Sequence, residues 1–276
     1  MFTAEKVVYK TVGEREVTAL VFRGAKIYEK APVCFWFHGG GWICGDGNEP
    51  QYRPVLTQGL LDAGVTIVSC EYRLADGKNV LWREIIDDCS DFVRYFTKNA
   101  DEFGLDIDRA FTAGISAGGH LCLLEAYGGE YFGTDDGTEF PCFKFILDMC
   151  GPVDMREALS AKEKGAIMSF LRKFLSKDSS QWENIYPLVS PIDYAKKADI
   201  KRLPPVMAVQ GDADELVTPN QPEILQELYA LRGVEFELLC VKNGSHGFDD
   251  VPGLPPAFPK FDDIQLSQLR FALDHI

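Results

Sequence analysis

The stretch Arg109-Ala-Phe-Thr-Ala-Gly-Ile-Ser-Ala-Gly-Gly-His-Leu-Cys-Leu-Leu-Glu125 decides how the rest of the chain is read. A short apolar run ends at Gly114, Ser116 follows, and a run compatible with a helix begins after Gly118 and Gly119. Strand, tight turn and helix in that order thrust the serine hydroxyl out at the C-terminal end of the strand, because flanking glycines leave room where side chains would collide. The pattern is the Gly-x-Ser-x-Gly of a nucleophile elbow. With 25 glycines in 276 residues it arises by chance in roughly one chain in ten, so the serine's partners must be found elsewhere in the sequence.

Working outward, residues 6–12 and 16–22 read as an antiparallel hairpin about Gly13-Glu14. Residues 32–37 and 65–70 are continuous apolar runs, as expected of strands buried on both faces. Further strands are expected at 143–150, 205–210 and 235–241, and helices at 51–63, 121–126, 223–231 and 262–274. Residues 83–103 read as one long amphipathic helix. Ile85, Ile86, Cys89, Phe92, Val93 and Phe96 share its apolar face, and Asp87, Asp88, Asp91, Arg94 and Lys98 form a solvated one. Such alternation implies a mostly parallel eight-stranded α/β sheet with helices on both faces, whose ligands bind beyond the C-terminal strand ends. His38, Ser116 and Asp214 each fall just past such an end.

Residues 151–203 interrupt this order after the sixth strand. Ile167, Met168, Phe170, Leu171, Phe174 and Leu175 have helical spacing, followed by Trp182, Tyr186, Pro187 and Pro191. This insertion is expected either as a surface helix packed on the core or as a cap over the substrate pocket.

The formal net charge of −14 excludes nucleic-acid and anionic-membrane surfaces, both of which need a basic footprint. Residues 1–20 lack a positively charged start followed by an apolar run, so no secretory leader is expected. No run approaches the roughly eighteen apolar residues of a membrane helix. Eight cysteines (34, 44, 70, 89, 122, 142, 150 and 240) include no Cys-x-x-Cys pair. Many stand in apolar runs such as Val33-Cys34-Phe35 and Leu239-Cys240-Val241, which suits buried free thiols. The expectation is a single cytoplasmic domain over 1–276.

A serine hydroxyl needs a base to take its proton. Of four histidines, His246 lies in Lys242-Asn-Gly-Ser-His-Gly-Phe248 after the last strand, where it can swing over Ser116. His38 belongs to a glycine run, His120 sits one helical turn beyond the serine and suits packing, and His275 is terminal. The base must be held in one tautomer by an acceptor. Gly211-Asp-Ala-Asp-Glu-Leu-Val217 offers Asp212, Asp214 and Glu215, and Asp214 is preferred because it stands further out in the loop. Backbone N–H groups of Gly40, Gly41 and Ala117 suit the oxyanion that forms on an attacked carbonyl.

Taken together, His38-Gly-Gly-Gly-Trp42, Tyr72-Arg-Leu74, Gly114-Ile-Ser-Ala-Gly-Gly119, Asp212-Ala-Asp-Glu-Leu-Val217 and Gly244-Ser-His-Gly-Phe248 resemble α/β-hydrolase carboxylesterases. They are similar to hormone-sensitive-lipase-like esterases and to small acetyl, feruloyl and xylan-ester hydrolases. The resemblance implies the α/β-hydrolase fold and a cofactor-free, metal-free acyl transfer to water. In it Ser116 is the nucleophile, His246 the base, Asp214 the acid, and Gly40, Gly41 and Ala117 the oxyanion hole. Ile115 stands where hormone-sensitive-lipase-like enzymes usually carry Asp, and Ser-Ala-Gly-Gly-His is closer to carbohydrate-type esterases and arylformamidases.

The expected activity is hydrolysis of short-chain, acetyl-like esters of carbohydrate or aromatic alcohols. Trp42, Phe248 and aromatic residues of 151–203 are expected to wall the pocket. The expected partner is a small-molecule ester, with no nucleic acid and no membrane, and a homodimer is left open. Competing expectations are an arylformamidase, a serine peptidase and a non-catalytic binding module of the same fold.

Overall fold

The continuous apolar run of residues 31–37 is explained by its place at the centre of a sheet covered on both sides. The computed structural model describes residues 2–157 and 164–276. Its strands are β1 (Glu5–Val12), β2 (Arg15–Phe22), β3 (Ala31–Phe37), β4 (Thr66–Glu71), β5 (Leu105–Ile115), β6 (Ile146–Met149), β7 (Val206–Gly211) and β8 (Phe236–Val241). They form one eight-stranded sheet in the order β1-β2-β4-β3-β5-β6-β7-β8. β2 pairs antiparallel with β1 and β4, and all pairings from β4 to β8 are parallel, so β2 alone runs against the rest.

The helices are α1 (Pro54–Asp62), α2 (Trp82–Lys98), α3 (Ala100–Phe103), α4 (Ala117–Gly128), α5 (Lys164–Phe174), α6 (Trp182–Val189), α7 (Pro191–Ala195), α8 (Gln221–Arg232) and α9 (Phe261–His275). Alternate residues of β3 serve opposite cores. Phe35 and Phe37 join the core with Phe92 of α2 and Leu121 of α4, whereas Cys34 and Trp36 join that of Leu56 in α1 and Ile264 in α9. Phe92 presents its ring edge-on to Phe35 and Phe37 at 5.5 and 5.8 Å.

Two expectations for residues 83–103 need correction. The helix divides at Asn99, whose side-chain amide bonds the Tyr95 carbonyl at 2.8 Å and competes with the helical ladder. The face expected to be solvated is partly buried. Asp88 is fully enclosed, receiving Arg73 Nε at 2.6 Å, Arg73 Nη2 at 2.9 Å and Lys10 Nζ at 2.8 Å. Arg94 is also buried and donates to the Phe132 and Glu130 carbonyls, each at 2.9 Å. Partners from β1, the β4–α2 connection and residues 130–132 cover a face that looks merely charged in sequence. The cysteine expectation holds for Cys34, Cys70, Cys89, Cys122 and Cys150, but Cys44, Cys142 and Cys240 are exposed. Cys240 lies on β8, the outer strand of the sheet, where cover is incomplete.

After β6 the chain forms α5, α6 and α7 before β7. Residues 158–163 of the expected insertion, and the Ile167 side chain, lie outside the described residues. Leu171, Phe174 and Leu175 are buried in the main core. No helix among the described residues is long and apolar enough to cross a membrane.

The parallel registers Phe37↔Gly114, Ile115↔Met149 and Gly211↔Val241 bring the strand ends level. Loops that leave β3, β5, β6, β7 and β8 therefore meet along one edge of the sheet.

Candidate active site

Ser116 is held at φ 56° and ψ −120° between β5 and α4, a left-handed conformation costly for any residue but glycine. The flanking glycines are sterically required. A Cβ on Gly114 would lie 2.2 Å from the Gly118 carbonyl oxygen, and one on Gly118 would lie 2.0 Å from that of Phe37. The Ser116 amide donates to the Met149 carbonyl at 2.7 Å, which anchors the turn to β6. Ala117 begins α4, so its amide has no acceptor within the helix.

His246 Nε2 lies 2.8 Å from Ser116 Oγ, and its Nδ1 lies 2.8 Å from Asp214 Oδ2. The carboxylate is itself fixed: Gln210 Nε2 donates to Oδ2 at 2.9 Å, and the Leu216 and Val217 amides donate to Oδ1 at 2.8 and 2.9 Å. Asp212 is turned away, accepting from the Asn243 amide at 2.6 Å. These contacts bring together the three residues singled out in sequence from loops after β5, β7 and β8. Sequence reasoning missed Gln210; a polar residue closing the otherwise apolar run of β7 was the available signal.

The glycine run after β3 is held from several sides. Tyr72 Oη donates to the His38 carbonyl at 2.8 Å and its ring stacks on His38 at 4.1 Å, which gives the Tyr-Arg-Leu motif a structural purpose. The Ala75 amide donates to the Trp42 carbonyl at 2.8 Å, and the Gly39 amide to Glu49 Oε2 at 3.0 Å. Gly40 has φ 109°, and a Cβ there would lie 2.2 Å from the Cys44 carbonyl oxygen. The amides of Gly40, Gly41 and Ala117 make no backbone hydrogen bond to a described residue.

A cavity of about 340 Å³ opens over Ser116 and His246. Its walls include Trp42, one of the residues expected there, and Gly40, Gly41 and Ala117, together with Ile115, Pro152, Phe170, Leu216, Val217 and Glu49. Phe248 is not on this wall. It has φ 67°, is buried, and packs with the core of Met149 and Val241, because the tight turn from Ser245 (Phe248 N to Ser245 O, 2.9 Å) carries it beneath the loop. Phe170 of α5 supplies the aromatic wall instead, its ring 3.1 Å from where a Gly41 Cβ would stand. Trp42 stacks on Phe174 of the same helix at 4.3 Å, so α5 is both packed on the core and part of the pocket.

Burial opposes protonation of His246, while Cys150 and the Asp214 carboxylate favour it, and the net effect raises its pKa above the ordinary 6.5. Burial pushes the Cys150 pKa up while His246 draws it down, and its Sγ donates to the His246 carbonyl at 3.4 Å. Burial lowers the pKa of His120 to about 4, so its ring is neutral. That ring takes a hydrogen bond from Trp42 Nε1 at 3.3 Å and donates from Nε2 to the Val189 carbonyl at 2.6 Å, joining α4, the glycine run and α6. Burial likewise lowers the pKa of His38. Cys150, Asp214 and His246 are the described group with metal-ligand chemistry, their donor atoms within 4.8 Å of one another. Since His246 and Asp214 already bond each other, the cluster fits a proton-handling site.

A family model described as BD-FAE matches residues 21–229. The chain belongs to this family. It is 27% identical over 215 residues to a putative α/β hydrolase, R526, of Acanthamoeba polyphaga mimivirus, covering 74% of this chain and 58% of that one. It thus spans little more than half the length of that relative. With the carboxylesterase NlhH of Mycobacterium tuberculosis it shares 26% identity over 269 residues, 95% of this chain and 80% of the other. Among solved structures it resembles a truncated carbohydrate esterase from gut microbiota, with a TM-score of 0.72 at 22% identity, covering 99% of this chain and 96% of that one. The BD-FAE chain therefore has the α/β-hydrolase fold.

Proposed function

We propose that this BD-FAE protein is a serine carboxylesterase that cleaves short-chain acyl esters through an acyl-enzyme. The observation that carries the reading is the unbroken chain Ser116 Oγ–His246–Asp214, with both links at 2.8 Å, opening into a mainly apolar cavity. Ser116 Oγ attacks the ester carbonyl carbon as its proton passes to His246 Nε2. The Gly40, Gly41 and Ala117 amides receive the negative charge on the carbonyl oxygen. Collapse of the tetrahedral intermediate expels the alcohol, which takes the proton from His246. Water then repeats the attack on the acyl-enzyme, releasing the acid and restoring Ser116. Every proton is handled by these residues and water, so the route needs no cofactor or metal.

A cavity of about 340 Å³ is near the small end of ligand pockets, which supports short acyl groups. Helix α5, through Phe170, acts as the inner wall of a cap. The name of the carboxylesterase relative and that of the carbohydrate esterase with the same fold support an ester substrate. The test is Ser116→Ala. It is expected to lower turnover of a chromogenic acetyl ester by about 10⁴-fold or more and to abolish labelling by a fluorophosphonate. Wild-type turnover in that variant would overturn the mechanism, and faster cleavage of a formyl-anilide than of the acetyl ester would move the reading to an arylformamidase.

A further inference from the structure

Glu49 is a carboxylate on the wall of a cavity whose other side chains, apart from Ser116 and His246, are mainly apolar. It stands after the glycine run, five residues before the start of α1, where nothing in the sequence motif draws attention to it. Its two oxygens are in different situations. Oε2 accepts from Trp36 Nε1 at 3.2 Å and from the Gly39 amide at 3.0 Å. Oε1 makes no hydrogen bond to a described residue, and no ion pair to Glu49 is formed among them; burial raises the Glu49 pKa, while Arg53 and the Trp36 and Gly39 donors favour its charged form. One edge of the group therefore grips the loop that carries Gly40 and Gly41, and the other is left without a donor beside the cavity.

An ionised carboxylate is an acceptor only, and an oxygen of such a group left without a protein donor on a mainly apolar cavity can take a hydrogen bond that a matching ligand group brings. Pockets of this kind use a few polar groups to fix ligand orientation against apolar walls. From these contacts we infer that Glu49 is a specificity-determining residue, selecting esters that carry a hydroxyl within reach of its Oε1. The inference rests on the esterase reading above and deepens it. The hydroxyl donates to Oε1 when the ester carbonyl sits at the Gly40, Gly41 and Ala117 amides, so the contact ties recognition to productive placement. The donor can belong to the alcohol or to the acyl part, and the chemistry is the same.

The experiment compares each hydroxyl ester with its own methyl ether, which removes the donor and keeps an acceptor. Glycol monoacetate against its methyl ether tests the alcohol part, and ethyl β-hydroxybutyrate against its methyl ether tests the acyl part. Wild type is expected to favour the hydroxyl form by tenfold or more in kcat/KM in one of the two pairs, and that pair identifies the source. Glu49→Gln keeps an oxygen for Trp36 and Gly39 but turns an N–H toward the cavity, so the same ratio is expected to fall about tenfold or to invert. A wild-type ratio near one in both pairs overturns the inference. So does an unchanged ratio in Glu49→Gln with an equal loss on all esters, which would make Glu49 only a brace for Gly39. Absence of any Ser116-dependent turnover would instead be the failure of the esterase reading itself.

Discussion

At the scale of single residues, two aspartates two positions apart have opposite surroundings. Asp214 collects the Gln210 side chain, two backbone amides and His246, whereas Asp212 serves the Asn243 amide. Asp214→Asn is expected to lower kcat by about 10⁴-fold, since an amide cannot hold the productive imidazole tautomer. Asp212→Asn is expected to cost less than about tenfold, and the reverse order in steady-state kinetics would reassign the acid. The charge on Asp214 also raises the pKa of His246. A protonated His246 cannot accept the Ser116 proton, so kcat/KM should climb with pH on a limb lying above 6.5, the ordinary histidine value. In Asp214→Asn that limb should move to lower pH, which a pH–rate profile of residual activity would detect.

At the scale of elements, α2 and α5 show how partners give meaning to a helix face. On α2, Asp88 and Lys98 look equivalent in sequence. Asp88 is buried beneath Arg73 and Lys10, while Lys98 reaches Asp136 at the surface, 2.9 Å away and more than half exposed. Asp88→Ala strands the buried Arg73 guanidinium, while Lys10 keeps Asp91 at 2.6 Å, and is expected to cost about 3–5 kcal/mol, against less than about 1 kcal/mol for Lys98→Ala; denaturant unfolding of the two variants checks the contrast. On α5, Phe174 is fully buried and stacks on Trp42. Phe174→Ala should cost about 3–5 kcal/mol and raise KM, because removing the ring frees the Trp42 wall of the cavity. Comparable stability loss with unchanged KM would separate α5 from substrate binding. The single helix expected over residues 83–103, by contrast, was a matter of local competition: Asn99 can bond its own helix backbone, and apolar periodicity does not register that.

For the whole molecule, an acidic chain of net charge −14 encloses acidic groups that stay neutral. Asp148 on β6 is completely buried, with the Gly151 amide at 3.1 Å the one hydrogen-bond donor to it among the described residues, and burial pushes its pKa up to about 8. In the unfolded chain it loses its proton near pH 4, whereas the native chain keeps it until about pH 8. Its contribution to stability is thus complete below about pH 4 and is lost progressively as the pH rises through about 8. Asp148→Asn has nothing to ionise, so its gain in Tm over wild type should grow from pH 5 to pH 8. An equal difference at both pH values in thermal melts would show that Asp148 is ionised when folded.

Short-range rules made the strand order, the elbow and the loops that carry Asp214 and His246 legible in the sequence. Glycine spacing around Ser116 reports backbone collisions within a single turn, and apolar runs such as residues 31–37 report burial on two faces. Chain order then matched Ser116, Asp214 and His246 with loops at one sheet edge. Tertiary structure decided what long-range contacts alone could specify. Phe248 turned into the core and Phe170 took its place at the pocket, Asp88 became a buried ion-pair partner of Arg73 and Lys10, and Glu49 acquired Trp36 and the Gly39 amide as donors. Each outcome depends on which distant residue arrives opposite a side chain, and periodicity along one segment carries no record of that arrival.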